Sequence, residues 1–170
     1  MGESETTYRG VPGAFVYSYR QSASRAYRLY AVVSALVMLL VGLLFTFGLI
    51  GVVAGTLGAS ELVTLVRSFF VLLAAVVAAP ILAPVLLVAR RHRREGSTVE
   101  YDAALAVCGF VFVLALYLGL AMSVPPELQN APSGLLAPIE AAVYAAPRFA
   151  GAVPPLVATL LIVLAHRRYR

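Results

Sequence analysis

The side chains with chemistry to offer are few and widely spaced. Cys108 is the single cysteine, and His92 and His166 are the only histidines. One thiol cannot close an intramolecular disulfide, and no CxxC or HExxH spacing sets up a metal centre. Each histidine lies in an arginine-rich segment, RRHRR at 90–94 and HRRYR at 166–170, and two such residues make no ligand set. There is no Walker loop, no GxGxxG after a strand and no readable Ser, His, Asp order for nucleophilic catalysis. One polar trio has the look of a site. Glu140, Tyr144 and Arg148 are spaced by four and would share one face of a continuous helix. That face could meet a small molecule or an ion, but Pro147 interrupts it, and Glu140 and Arg148 lie too far apart for a direct pair along a straight helix. No residue is assigned a catalytic, cofactor-binding or metal-binding role, and the chain is expected not to be an enzyme.

The elements that must carry these residues are long apolar runs. Residues 29–60, 68–89, 103–124 and 149–165 contain no Asp, Glu, Lys, Arg or His. About twenty apolar residues cross a bilayer as a helix. The whole 170-residue chain is 61% hydrophobic and 12% charged, against about 25% charged in soluble domains. The expected fold is all-α: a cytoplasmic segment 1–28 leading into a transmembrane domain 29–170. Helices are predicted near 29–56, 68–89, 103–124 and 149–165, with a short outer helix near 138–146. The polar first 28 residues and the length of the first run argue against a cleavable signal and for an uncleaved signal anchor.

Charge sets the orientation. Every basic residue other than histidine is arginine, and the net charge is +5. With four crossings, eleven of the thirteen arginines fall on one side, in the N-terminal segment, the loop after the second run and the tail; Arg67 and Arg148 lie opposite. Positive charge beside short loops marks the cytoplasmic face, which places both termini in the cytoplasm of a multi-pass plasma-membrane protein. Arg20, Arg25, Arg28, Arg90, Arg91, Arg93, Arg94, Arg167 and Arg168 are the candidates for anchoring on anionic headgroups. The same location argues against nucleic acid as a partner.

Local features refine this frame. In PGAFVYSYRQSASRAYR at 12–28, aromatics alternate with arginines, which suits a short helix on the inner leaflet, with Tyr27 and Tyr30 at headgroup level. Gly51 and Gly55 form a GxxxG pair, read as helix packing within the chain with dimerisation as the alternative, and Ala115 and Gly119 form a second small-xxx-small pair for helix packing. Pro80 and Pro84 sit one turn apart in the second run, where each removes a backbone donor, and they are candidates for a static kink or a hinge that frees the carbonyls near Val76. Ala75, Ala79 and Ala83 form a stripe expected to face another helix. Ser97 or Thr98 is expected to cap the third helix. Tyr117 is expected to hydrogen-bond across helices.

The stretches YRGVPGAFVYSYRQSASRAYRLY and PILAPVLLVARRHRR resemble a family of uncharacterised, predicted four-helix membrane proteins of haloarchaea. Absence of lysine and abundance of Ala, Val and Leu are compatible with a GC-rich genome, although the basic balance departs from the acidity of soluble halophile proteins. The resemblance implies no activity and transfers no functional residues. The pattern as a whole points to a non-enzymatic accessory or scaffold subunit of a membrane assembly, with lipids and a membrane-protein partner or a second copy as its contacts. The alternative is a small transporter or channel component built on the Pro80/Pro84 helix. Ionisable groups, which mark most transport paths, are absent at mid-membrane.

Overall fold

A computed structural model describes residues 10–55, 62–132 and 134–169. Arg9 and Arg170, and most of the outer loop between the first two runs, lie outside the described residues. Six α-helices follow in order: α1 Gly10–Gln21, α2 Arg25–Gly55, α3 Leu62–Arg94, α4 Val99–Met122, α5 Ala137–Ala145 and α6 Val153–Tyr169. Short 3-10 turns at Pro126–Leu128, Gly134–Leu136 and Arg148–Ala152 lie in the connections between α4 and α6. No strand occurs among the described residues. Four helices are long and apolar enough to cross a membrane.

The helices outrun their apolar cores because their ends carry good helix formers. Arg90–Arg94, expected as loop, are the last turns of α3, where cations complement the negative end of the helix dipole. Gly96 adopts φ +76°, a left-handed conformation that stops the helix without a Cβ penalty. The loop shrinks to Glu95–Thr98. Thr98 then caps α4, its side chain accepting from the Tyr101 amide at 3.3 Å. Ser24 does the same for α2, accepting from the Tyr27 amide at 3.3 Å.

The core runs along α4. The third apolar run, the least distinctive in sequence, buries Tyr101, Asp102, Leu105, Ala106, Gly109, Phe112, Ala115 and Gly119, and α4 packs against α2, α3, α5 and α6. Its small residues let neighbours come close. A Cβ on Gly119 would overlap the Gly151 carbonyl oxygen, and one on Gly151 would lie 2.6 Å from the Gly119 oxygen. The Ala115/Gly119 pair therefore does pack within the chain, at the crossing of α4 with the segment that starts α6.

Other expected contacts fall differently. Tyr27 and Tyr30 are 0% exposed, packed inside the bundle rather than presented to lipid headgroups. Gly109 leaves a seat that the Tyr30 ring fills, with its edge against Phe110 at a centroid distance of 5.2 Å. The Tyr30 hydroxyl donates to the Ile81 carbonyl at 2.7 Å, between Pro80 and Pro84. Helix α3 runs unbroken through both prolines and buries Ile81, Pro84, Val85, Val88 and Ala89. The buried face therefore excludes Ala75 and Ala79, which are exposed; Ala83 is half-buried. Tyr117 is 70% exposed and points away from the bundle.

The structure pins the proline segment to α2 through one buried bond, and Tyr30→Phe removes only that bond. We expect a loss of about 0.5–1.5 kcal/mol, read as a lower midpoint of thermal unfolding in detergent.

Candidate functional site

A connected cluster of polar side chains gathers at one end of the bundle. Asp102 is its centre. It is 1% exposed, on the first turn of α4, with the same face of the helix continuing into Leu105, Ala106 and Gly109. Three side chains from three segments meet its carboxylate. Ser22, between α1 and α2, donates to Oδ2 at 2.6 Å, and Ser97 donates to Oδ1 at 2.6 Å. His92 Nε2, from the last turns of α3, lies 2.9 Å from Oδ2. Ser22 also accepts from the Ser24 amide at 3.2 Å through the same hydroxyl, which fixes the turn between α1 and α2. A buried carboxylate is tolerated when its lone pairs are filled in this way.

A second set ties in the tail. The Tyr101 hydroxyl and His166 Nδ1 share a hydrogen bond of 2.7 Å. The Arg91 guanidinium lies over the Tyr101 ring, 4.2 Å from its centroid, and its Nη1 donates to the Tyr169 carbonyl at 2.7 Å. Arg28 donates from Nε to the Ser22 carbonyl at 2.9 Å and sits 5.8 Å from the Tyr19 ring centroid. The N-terminal segment, the 95–98 loop and the C-terminal end of α6 thus share one end of the protein. Beside these groups, Leu87, Arg90, Arg91, Arg94, Glu95 and His166 surround a cavity of about 160 Å³.

The arginines proposed as lipid anchors differ in exposure and in contacts. Arg28 and Arg91 are engaged with the protein itself. Arg20, Arg25, Arg90, Arg93, Arg94, Arg167 and Arg168 are exposed, with Arg90 and Arg94 on the cavity. The segment 12–28 forms a helix as expected, but α1 packs chiefly on α3, burying Ala14 and Ser18. Arg20 borders an apolar groove between α1 and α2, together with Phe15, Tyr19 and Leu36.

At the other end, Glu140 and Tyr144 are half-buried on α5, whereas Arg148 is exposed. Helix α5 stops at Ala145, Ala146 turns extended at ψ 144°, and Arg148 begins a separate 3-10 turn. The trio does not form one face, because Pro147 breaks the helix before Arg148. Gly51 and Gly55 are exposed, and a Cβ on either would meet nothing within 4 Å among the described residues. Among the described residues the GxxxG pair therefore makes no packing contact, unlike the intramolecular role expected for it. Gly48 makes the contact between α2 and α3 instead, beneath the Phe70 ring.

His92 and His166 belong to different pairs, and no group of three His, Cys, Asp or Glu side chains gathers among the described residues. Cys108 is half-buried and free, against the core. Sequence motifs do not single out Asp102. Its signal was positional: it stands one turn before Leu105 and Ala106 on the face that Gly109 continues.

A family model described as a domain of unknown function, DUF8056, matches residues 1–170. No curated protein and no solved structure matches the chain.

Proposed function

The chain belongs to the DUF8056 family, and because that membership brings no activity with it, we propose a role from the protein's own surfaces: a non-enzymatic accessory or scaffold subunit of a membrane assembly. The observation that carries this reading is the state of the outer halves of α2 and α3. No residue of α2 beyond Ser34 is buried, and no described residue of α3 before Ile81 is buried. The two helices touch there through Phe45 and Phe70, with ring centroids 5.1 Å apart, while Gly51 and Gly55 lie open. Glycines that admit close backbone approach but face nothing among the described residues suit a helix from another chain. The partner is a membrane protein or a second copy.

The proposal extends to topology and location. Nine described arginines, Arg20, Arg25, Arg28, Arg90, Arg91, Arg93, Arg94, Arg167 and Arg168, belong to the shared end of the bundle, which supports a cytoplasmic position for both termini and a place in the plasma membrane. The likeness to haloarchaeal proteins extends it to an archaeal membrane. The exposed arginines hold anionic headgroups there. A transporter or channel component has less support, since Tyr30 pins the Pro80/Pro84 segment and Val76 faces outward.

Isolation from native membranes in a mild detergent tests the reading. We expect a stoichiometric partner or a defined oligomer to co-isolate. Gly51→Leu with Gly55→Leu should abolish that association while shifting the stability of the chain by no more than about 0.5 kcal/mol, since the new side chains enter open space. A wild-type chain that is monomeric in native membranes and co-isolates no protein overturns the proposal.

A further inference from the structure

The cavity between the cytoplasm-assigned ends of α3 and α6 has a chemistry that scattered surface arginines lack. It encloses about 160 Å³, and three guanidinium groups, Arg90, Arg91 and Arg94, line it against one carboxylate, Glu95. Two of its walls are held in place. Arg91 is clamped between the Tyr101 ring and the Tyr169 carbonyl, and His166 is held on Nδ1 by the Tyr101 hydroxyl. Arg91 Nε is buried with no hydrogen-bond partner. A buried donor left unpaired is costly, and the residue that carries it lines the cavity.

The net charge of the lining identifies the ligand class. Three cations against one anion leave about two positive charges before His166 is counted. The C-terminal dipole of α3 opposes an anion, but it amounts to only about half a charge. Guanidinium forks match the oxygens of phosphate and hold them with charge-assisted bonds. A doubly charged phosphate neutralises the lining, whereas a carboxylate leaves it half compensated.

We infer that this cavity is a stoichiometric binding site for a phosphate monoester or inorganic phosphate. The inference does not depend on the scaffold reading, because the site lies at the opposite end of the helices from Gly51 and Gly55. It also differs from general attraction to an anionic surface, since it requires saturation at one ligand per chain. The phosphate belongs either to a lipid headgroup, such as phosphatidic acid, or to a soluble molecule.

The full chain in dodecyl maltoside, a detergent without phosphate, tests this. Inorganic phosphate is titrated by calorimetry, and retention of phosphatidic acid is read by native mass spectrometry. Binding of one phosphate per chain assigns a soluble ligand, and retention of one phosphatidic acid without binding of free phosphate assigns the headgroup; either supports the site. Arg90→Gln with Arg94→Gln should weaken whichever ligand binds by about 10-fold or more, the low end for bonds to charged groups. Both residues are exposed, so a thermal midpoint matching wild type shows that folding is intact. Arg167→Gln with Arg168→Gln, outside the lining, should leave binding unchanged. Equal weakening by the two double variants, or no saturable binding of either probe, overturns the inference.

Discussion

Asp102→Ala should destabilise the folded chain by about 3–5 kcal/mol, a large share of the stability of a small domain. The carboxylate accepts from Ser22 and Ser97 and faces His92. Removing it strands three polar groups at once, and Ser22, like Asp102, is fully buried. The penalty is thus dominated by unpaired donors rather than by the lost packing of a small side chain. Thermal unfolding in detergent reads the loss. Limited trypsin digestion reads its location, because Ser22 couples the turn after α1 to the bundle. Cleavage after Arg20, Arg25 or Arg28 should accelerate in Asp102→Ala before the rest of the chain opens. Asp102→Asn retains one acceptor oxygen and nearly the same volume, so it should lose less. Glu100→Ala, exposed on the same turn, should remain within about 0.5 kcal/mol of wild type. Equal behaviour of the Asp102 and Glu100 variants would remove Asp102 from the centre of the fold.

Gly119→Val should cost about 3 kcal/mol or more, at the upper end for overpacking. The colliding atom decides the size. At Gly119 the new side chain meets the backbone carbonyl of Gly151, which can move only if the start of α6 moves away from α4. At Gly109 the same substitution meets the far end of the Tyr30 ring, which can rotate aside at the expense of its bond to Ile81. At Gly42 it meets nothing within 4 Å among the described residues. Melting midpoints should therefore fall in the order Gly42→Val, Gly109→Val, Gly119→Val. A Gly119 variant as stable as the Gly42 variant would show that α4 and α6 do not cross at this contact.

The separation between what was legible and what was not follows particular residues. A cap at Ser97 or Thr98 reads from residue type and place before an apolar run, which depend only on neighbours in the chain; the structure selects Thr98. The Ala115/Gly119 pair and the Gly51/Gly55 pair have the same spacing and the same small volume. The first is buried in the bundle and the second open, and nothing within either heptad distinguishes them. The Ala75/Ala79/Ala83 stripe failed for the same reason. In a helix apolar on all sides, composition does not say which face meets protein and which meets lipid. Tyr27 and Tyr30 carry the marks of interfacial aromatics, and only the vacancy above Gly109 draws the Tyr30 ring inward.

The sequence by itself determined the number of membrane-capable helices, their approximate limits and the gathering of arginine at one end. These properties are sums over residues: hydropathy accumulates along a run, and charge is counted segment by segment. The tertiary structure alone decided that Asp102 is the joint of three segments, that Gly119 meets Gly151, and that Arg90, Arg91, Arg94 and His166 face one cavity. Each of those facts includes at least one meeting of groups between 32 and 80 positions apart in the chain, as Ser22 and Asp102 meet at 2.6 Å. No local pattern encodes such a meeting, because it exists only once the helices have chosen their faces and registers.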